Sequence, residues 1–344
     1  MMEETKFYRP ILKKAWNITI KFKSLWFLGF FAALVGSGGE FELLSRILFN
    51  PTASKNFISE SFNGFKAGIQ NNLPIDGNLW SNLWSVITGA PINIISAILV
   101  LIVAIIISLF IIWLITVSQV GLIKNADLAT KNKKSTINSG IDAGVENFWP
   151  IFTVNLVYKL ILLIIFVLLG KEILLLIAMG IVGTVLHIFL LVLFSIITVI
   201  ISFIIRYQIL YIILKKEKAI PALKSAWQLF ITNWLLSLEM AFIVFIVYMI
   251  VIYLSTFITA VLLAIPIVFV TYSTQIPILV LIALVLTSVF VIITITILIT
   301  SLLSVFQWSA WIILFNQMTT GEVLSKIAQL SNKSPNISNI FNKK

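Results

Sequence analysis

Apolar and polar positions are organised on two scales along this chain. Long runs of Leu, Ile, Val and Phe recur, and short amphipathic stretches precede three of them. In the first short stretch, Tyr8, Ile11, Leu12, Ala15, Ile18 and Phe22 share a face opposite Lys13, Lys14, Asn17 and Lys21. That spacing predicts an amphipathic helix lying in a membrane interface. Trp26 then marks the headgroup level and opens a span through Val35, which exits at Gly36-Ser37-Gly38-Gly39-Glu40. The glycines there read as a helix end and not a phosphate cradle, because no Lys-Ser/Thr and no helix start comes after them.

Residues 40–90 are the one long stretch of mixed polarity, with Ile58, Phe62, Phe65 and Ile69 at helical spacing and Trp80 paired with Trp84. They predict short helices on the outer surface. A second span is expected over Asn93–Ile123, followed by a basic loop at Lys124, Lys131, Lys133 and Lys134. Ile137, Ile141, Val145 and Phe148 form the next amphipathic stretch, and Trp149 opens a third span ending near Gly170-Lys171-Glu172. The tract Ile173–Leu214 is too long for one upright helix, since about 20 residues cross a bilayer. Either 173–186 is short or re-entrant, or the span tilts.

After Lys215-Lys216-Glu217-Lys218, Pro221 stands where proline starts helices well. Leu223, Ala226, Trp227, Phe230 and Ile231 then form a stripe, and Trp234 opens the fifth span. Pro266 and the turn Thr271–Pro277 are expected to break the apolar run after it, leaving 257–270 as an added span, a re-entrant or a surface helix. The sixth span descends to Asn316, and Thr319-Thr320-Gly321-Glu322 reads as a capping box for a last helix, Val323–Leu330, before a polar tail.

The expected fold is therefore all-α, a polytopic transmembrane helix bundle of about six spans with cytoplasmic amphipathic interfacial helices. Its segments are 1–24, an N-terminal amphipathic helix; 25–122, a first hairpin with an outer segment 37–92; 123–216 and 217–318, each an amphipathic helix plus hairpin; and 319–344, a cytoplasmic tail. Composition agrees: 60% of residues are hydrophobic, 11% are charged and mean hydropathy is +1.09. A soluble domain carries roughly 45–50% apolar and about 25% charged residues. The excess has to face lipid.

The net charge of +11 would suit nucleic acid. The positive residues flank apolar spans and form no groove, however, so the expected partners are the lipid bilayer and its anionic headgroups, with membrane-protein partners open and no nucleic acid. Assigned alternately, one set of connections holds nearly all the lysines and the other only Arg46, Lys55, Lys66 and Lys171. The first set is expected in the cytoplasm, with both termini, in a multi-pass protein of the cell membrane. Trp308 and Trp311 fall at the same boundary as Trp26, Trp149 and Trp234, and are expected to join their interfacial belt. More than 20 polar-flanked residues precede the run Leu25–Gly36, which argues against a cleavable signal.

The absence of cysteine excludes disulfides, thiolate nucleophiles and Cys-based zinc sites. The single histidine, His187, lies in an apolar run and is expected to pack, not to ligate a metal. Catalytic, cofactor and metal motifs are not found.

One unit recurs: amphipathic helix, interfacial Trp, span out, span back. Leu12-Lys13-Lys14-Ala15-Trp16 matches Leu223-Lys224-Ser225-Ala226-Trp227, each shortly before a span. The expected anchors are Trp16, Trp26, Trp149, Trp227 and Trp234. Ala222-Leu223-Lys224-Ser225-Ala226-Trp227-Gln228-Leu229, following a basic turn, resembles the Ala-Leu-x-x-Ser-Trp-x-Leu pattern of uncharacterised bacterial membrane proteins. These are the YciC-like proteins and the membrane domain attached to some glycerophosphodiester phosphodiesterases. Here Ala226 takes the serine position, and the match covers about 30 residues. The resemblance implies a membrane part alone, because the phosphodiesterase activity belongs to a separate soluble barrel.

Ionisable groups within a bilayer cost about 2.5–3.5 kcal/mol each on insertion scales and are functional candidates. Lys159 on the third span, Arg206 on the fourth and Glu239 on the fifth qualify, and the polar Asn155 sits one turn before Lys159 on the same face. His187, Ser195, Thr198, Ser202 and Arg206 form one stripe; Thr296, Thr300, Ser304 and Gln307 form another. They either line a polar cleft closed by Glu239 with Arg206 or Lys159, or bond their own helices and pack. The expected function is non-catalytic (scaffold, partner subunit or envelope factor), with a transporter or channel component as the alternative.

Overall fold

A computed structural model describes residues 8–34, 91–133, 135–177, 180–272 and 278–320. Those residues are all-helical: α1 (Tyr8–Lys21), α2 (Ser24–Ala33), α3 (Pro91–Thr130), α4 (Ile137–Glu146), α5 (Phe148–Ile177), α6 (Gly180–Lys215), α7 (Ala219–Thr232), α8 (Trp234–Tyr272) and α9 (Ile278–Thr320). Five of them, α3, α5, α6, α8 and α9, are long and apolar enough to cross a membrane. The chain is a polytopic α-helical membrane bundle.

Two compact units divide the chain: Gly38–Leu114, and Met1–Ser37 with Ile115–Lys344. In the first, the described residues are the opening part of α3, whose apolar side chains from Ile98 to Ile112 are largely exposed. In the second, α1 and α2 pack on α9, α5 packs on α6, α7 on α6, and α8 on α9. Its core lies where the four short helices α1, α2, α4 and α7 meet the ends of the long ones. Ile11, Leu25, Leu28, Leu122, Ile151, Leu210, Leu236, Met240 and Trp311 are all buried there.

Several boundaries differ from the pattern. The expected break at Gly170-Lys171-Glu172 is absent: α5 continues to Ile177 and α6 begins at Gly180. A helical glycine costs only about 1 kcal/mol, whereas opening the backbone in lipid leaves polar groups without partners, which costs more. The same demand carries α8 past Pro266 to Tyr272. The helix α3 does not stop at Ile123 but runs to Thr130, with Ile123, Asn125, Ala126, Asp127 and Ala129 buried, so Lys124 lies within the helix and not in a loop. The described part of the first expected span is the ten-residue α2, which rises only about 15 Å. Thus five helices, not six, meet the length criterion among the described residues. The expected outer helices at 40–90 and the last helix at Val323–Leu330 lie outside the described residues.

Candidate functional site: a polar layer between helix ends

Polar side chains collect in the core that joins the short helices to the long ones. Arg206 of α6 is 7% exposed, and its guanidinium carbon lies 4.5 Å from the centre of the Trp311 ring on α9. Trp311 is fully buried, with Phe203 and Tyr207 of α6 at 5.7 and 6.1 Å between ring centres. A buried cation is held here against an aromatic face, whose negative quadrupole replaces part of the lost hydration.

The next residue, Tyr207, links α6 to α8 through a 2.6 Å contact between its hydroxyl and that of Ser237. Ser237 donates its one proton to the Asn233 carbonyl at 2.9 Å, so Tyr207 is the donor in the pair. Two residues along α8, Glu239 accepts a hydrogen bond from the Tyr8 hydroxyl of α1. Burial first, then the bond to Glu239, pushes the Tyr8 phenol well above its ordinary value.

A second polar group surrounds the end of α3. Asp127 accepts from Lys131 at 2.6 Å through one carboxylate oxygen and from the Asn316 amide of α9 at 3.2 Å through the other. Asn125 donates to the Thr136 carbonyl at 2.8 Å and accepts from the Ser139 hydroxyl at 3.1 Å. Thr136 and Ser139 form a reciprocal capping box that starts α4. Glycine makes this approach possible. A Cβ on Gly140 would lie 2.7 Å from the Asn125 amide nitrogen, and one on Gly144 only 2.5 Å from the Val117 carbonyl oxygen.

The candidates proposed from sequence separate into these groups. Asn155 donates to Gln119 of α3 at 2.7 Å, whereas Lys159, one turn further, is exposed on α5. Arg206 and Glu239 belong to the α6–α8–α1 layer. Ser202 is buried on α6, and Ser195 and Thr198 bond the carbonyls of Leu191 and Phe194 on their own helix. Gln307 is buried and accepts from Tyr248 of α8 at 2.6 Å. Thr300 is exposed and bonds the Thr296 carbonyl of its own helix at 2.7 Å. His187 occupies a helical position on α6, and its side chain lies outside the described set.

The tryptophans divide as well. Trp16, Trp149, Trp227 and Trp234 are exposed, and Trp26 is half-buried with its indole N–H on the Thr19 carbonyl. Trp308 and Trp311, expected in the same belt, are instead core residues. Their sequence position fits an interface, but α9 there is enclosed by α1, α2, α6 and α8.

Pattern reading passed over Gln119 and Gln208. The end halves of α3, α6 and α9 each bury one glutamine that bonds a neighbouring helix: Gln119 to Asn155, Gln208 to the Ala219 carbonyl and Gln307 to Tyr248. A single amide inside an apolar run was the available signal. The matched words are also matched in space. Ile11, Ala15 and Ile18 are buried on α1, as Ala222, Ala226 and Leu229 are on α7, while Trp16 and Trp227 are 51% and 49% exposed.

Between α5, α6 and α7 lies a groove of about 720 Å3, lined by apolar side chains with Gln208, Lys224 and Gln228 among them. Among the described residues no three His, Asp or Glu side chains are grouped as metal ligands would be. No protein-family model matches the chain, and neither a curated protein nor a solved structure matches it.

Proposed function

We propose that this chain is a non-catalytic scaffold of the cell membrane, built from three copies of one unit, with both termini in the cytoplasm. The observation that carries this reading is how the short helices are seated. Helix α7 lies on α6, the long helix that precedes it, and α4 closes on α3 through the glycine contacts. Helix α1 has no preceding span in the described chain, yet it packs on α9, the last long helix, with Trp16 edge-on to Phe306 at 6.2 Å. The first copy thereby closes on the last. The polar side chains between helices serve as cross-links in this closure, as polar groups do in membrane bundles.

The interfacial role of α1 and α7 is supported by exposed Trp16, Trp227 and lysines opposite buried Ala15, Ala222 and Ala226, and α4 places its buried Gly140 and Gly144 inward. The orientation is supported by the lysine-rich connections at that end. The resemblance around Ala222–Leu229 is consistent with a membrane part that works without a catalytic domain.

Because the chain lacks cysteine, single substitutions Ser304→Cys, Ser237→Cys and Asn155→Cys report water access to the polar layer without a background. A scaffold leaves Ser304→Cys and Ser237→Cys unlabelled by a membrane-impermeant thiol reagent added to either face of right-side-out and inverted vesicles. An exposed control, Lys224→Cys, is labelled from the cytoplasmic face. Labelling of Ser304→Cys and Ser237→Cys, with protection by a solute, would instead establish the transporter reading.

A further inference from the structure

The geometry points to a specific binding site for one anionic phospholipid in the groove between α5, α6 and α7. Its acyl chain lies along the two long helices, and its phosphate faces Lys224. The inference needs only the membrane location of the chain and stands apart from the scaffold reading.

The apolar wall is made by Val154, Val157 and Ile161 of α5 with Ile201, Ile204 and Ile205 of α6. These positions extend over about two turns of α5, roughly 10 Å, and about one turn of α6, roughly 6 Å, an elongated apolar strip that suits a chain segment and not a compact polar solute. The volume, about 720 Å3, is within the range of roughly 300–1,000 Å3 typical of small-molecule sites.

The polar residues are placed on one end. Helix α7 crosses the groove beside Gln208, because the Gln208 amide holds the Ala219 carbonyl at 2.9 Å. From α7, Lys224, Trp227 and Gln228 face the groove. A cation, an amide and an amphipathic indole at the end of an apolar slot complement a phosphodiester above an acyl chain. The neighbouring turn adds Lys215, Lys216 and Lys218. Its one acid, Glu217, is engaged by the Ser225 hydroxyl at 2.9 Å. The local charge thus selects an anionic lipid over a zwitterionic one, and a second transmembrane helix would leave Lys224 and Gln228 facing apolar side chains.

The test uses the purified full-length chain in detergent, titrated with dioleoyl phosphatidylglycerol, dioleoyl phosphatidylcholine or glycerol phosphate, with bound lipid counted by native mass spectrometry. Phosphatidylglycerol is expected to saturate at one tight site, phosphatidylcholine to bind more weakly, and glycerol phosphate not to be retained. Lys224→Gln should weaken phosphatidylglycerol about fivefold, in line with one lysine near an anionic surface. Val157→Trp, at a half-exposed position that tolerates bulk, should fill the slot and abolish the tight site while leaving the melting temperature of the lipid-free chain unchanged. Equal retention of the two lipids would overturn the proposal. Undiminished phosphatidylglycerol binding by a folded Val157→Trp would do the same, as would retention of a membrane protein in the groove in place of lipid. Retention of glycerol phosphate alone would assign the site to a free phosphate and also overturn it.

Discussion

The two halves of α9 are both strongly apolar, yet their surroundings are opposite. From Leu286 to Leu298 the helix presents Val289, Phe290, Ile293 and Ile297 outward, and its threonines turn back onto their own backbone. From Ser304 to Phe315 every side chain is buried. Helices α6 and α8 divide the same way: Val182, Phe189 and Ile196 are exposed against buried Phe203, Arg206 and Leu210, and Ile250, Tyr253 and Phe257 against buried Leu236, Met240 and Val244. Hydropathy does not separate these halves, because a lipid tail solvates leucine as well as another leucine does. What separates them is what their small and polar residues meet: their own backbone in the outward half, neighbouring helices in the enclosed one. The enclosed half of α9 interleaves Ser304, Gln307, Ser309 and Ala310 with tryptophan: the small Ser304, Ser309 and Ala310 permit close approach, and Gln307 bonds Tyr248 of α8.

The sharpest way to break this distinction is to fill the closest backbone approach. Gly144→Leu puts a Cβ 2.5 Å from the Val117 carbonyl oxygen and 2.9 Å from its Cα, atoms that cannot move independently of α3. Overpacking of this kind is expected to remove about 3 kcal/mol or to prevent folding. Gly144→Ala should act in the same direction but less. Thermal unfolding in detergent, read by tryptophan fluorescence, measures both.

The buried cation comes next. Arg206→Met keeps most of the side-chain volume and removes the charge over Trp311. A desolvated cation–π contact is worth about 2 kcal/mol, and a loss of that order in unfolding free energy is expected, with a shift in the tryptophan emission. An unchanged emission maximum would show that Arg206 does not set the environment of Trp311.

These effects sit on features that the sequence displayed unequally. The amphipathic stripes of α1 and α7 were legible, because Ala15 and Ala226 fall at the buried positions of a 3.6-residue period. Arg206 and Glu239 stood out because a charge within an apolar run has few explanations. Their partners did not stand out. Tyr8 and Trp311 are ordinary residues until the fold brings α1 to α8 and α9 to α6. Gly170 and Pro266 misled, since the rules that make them helix breakers come from water, where a freed backbone group has a partner. Trp308 and Trp311 misled for a related reason: sequence gives the depth of a residue along a span but not which way it faces.

A smaller effect is expected at the Tyr8–Glu239 contact, on the exposed margin of the layer. Hydrogen bonds to charged groups contribute about 1.5–3 kcal/mol, and partial exposure of Glu239 places this pair at the lower end, about 1.5 kcal/mol. Tyr8→Phe and Glu239→Gln should each lower stability, and the double variant should lose less than their sum. The pair also fixes the pH response. The Tyr8 phenol is raised above its ordinary 10.0 in the folded chain, so the unfolded chain releases this proton first as pH rises. The contribution of Tyr8 is whole below pH 10 and is lost progressively above it. The native chain should therefore lose stability between about pH 10 and 11.5 more steeply than Tyr8→Phe does.

The smallest effect is expected on the other side of the comparison, and it is the one that decides whether the comparison is about packing at all. Phe290 is 71% exposed on the outward half of α9. Replacing it with alanine deletes more apolar area than Arg206→Met, and in a soluble core Phe→Ala would cost about 3–5 kcal/mol. On a lipid-facing surface the ring is solvated by acyl chains whether the bundle is assembled or not, so Phe290→Ala should change stability by no more than about 0.5 kcal/mol. The measurement is the same detergent melt, repeated in nanodiscs so that detergent does not stand in for lipid. A loss of several kcal/mol would mean that another helix covers this face, and that the outward halves cohere by contacts beyond those of the described chain.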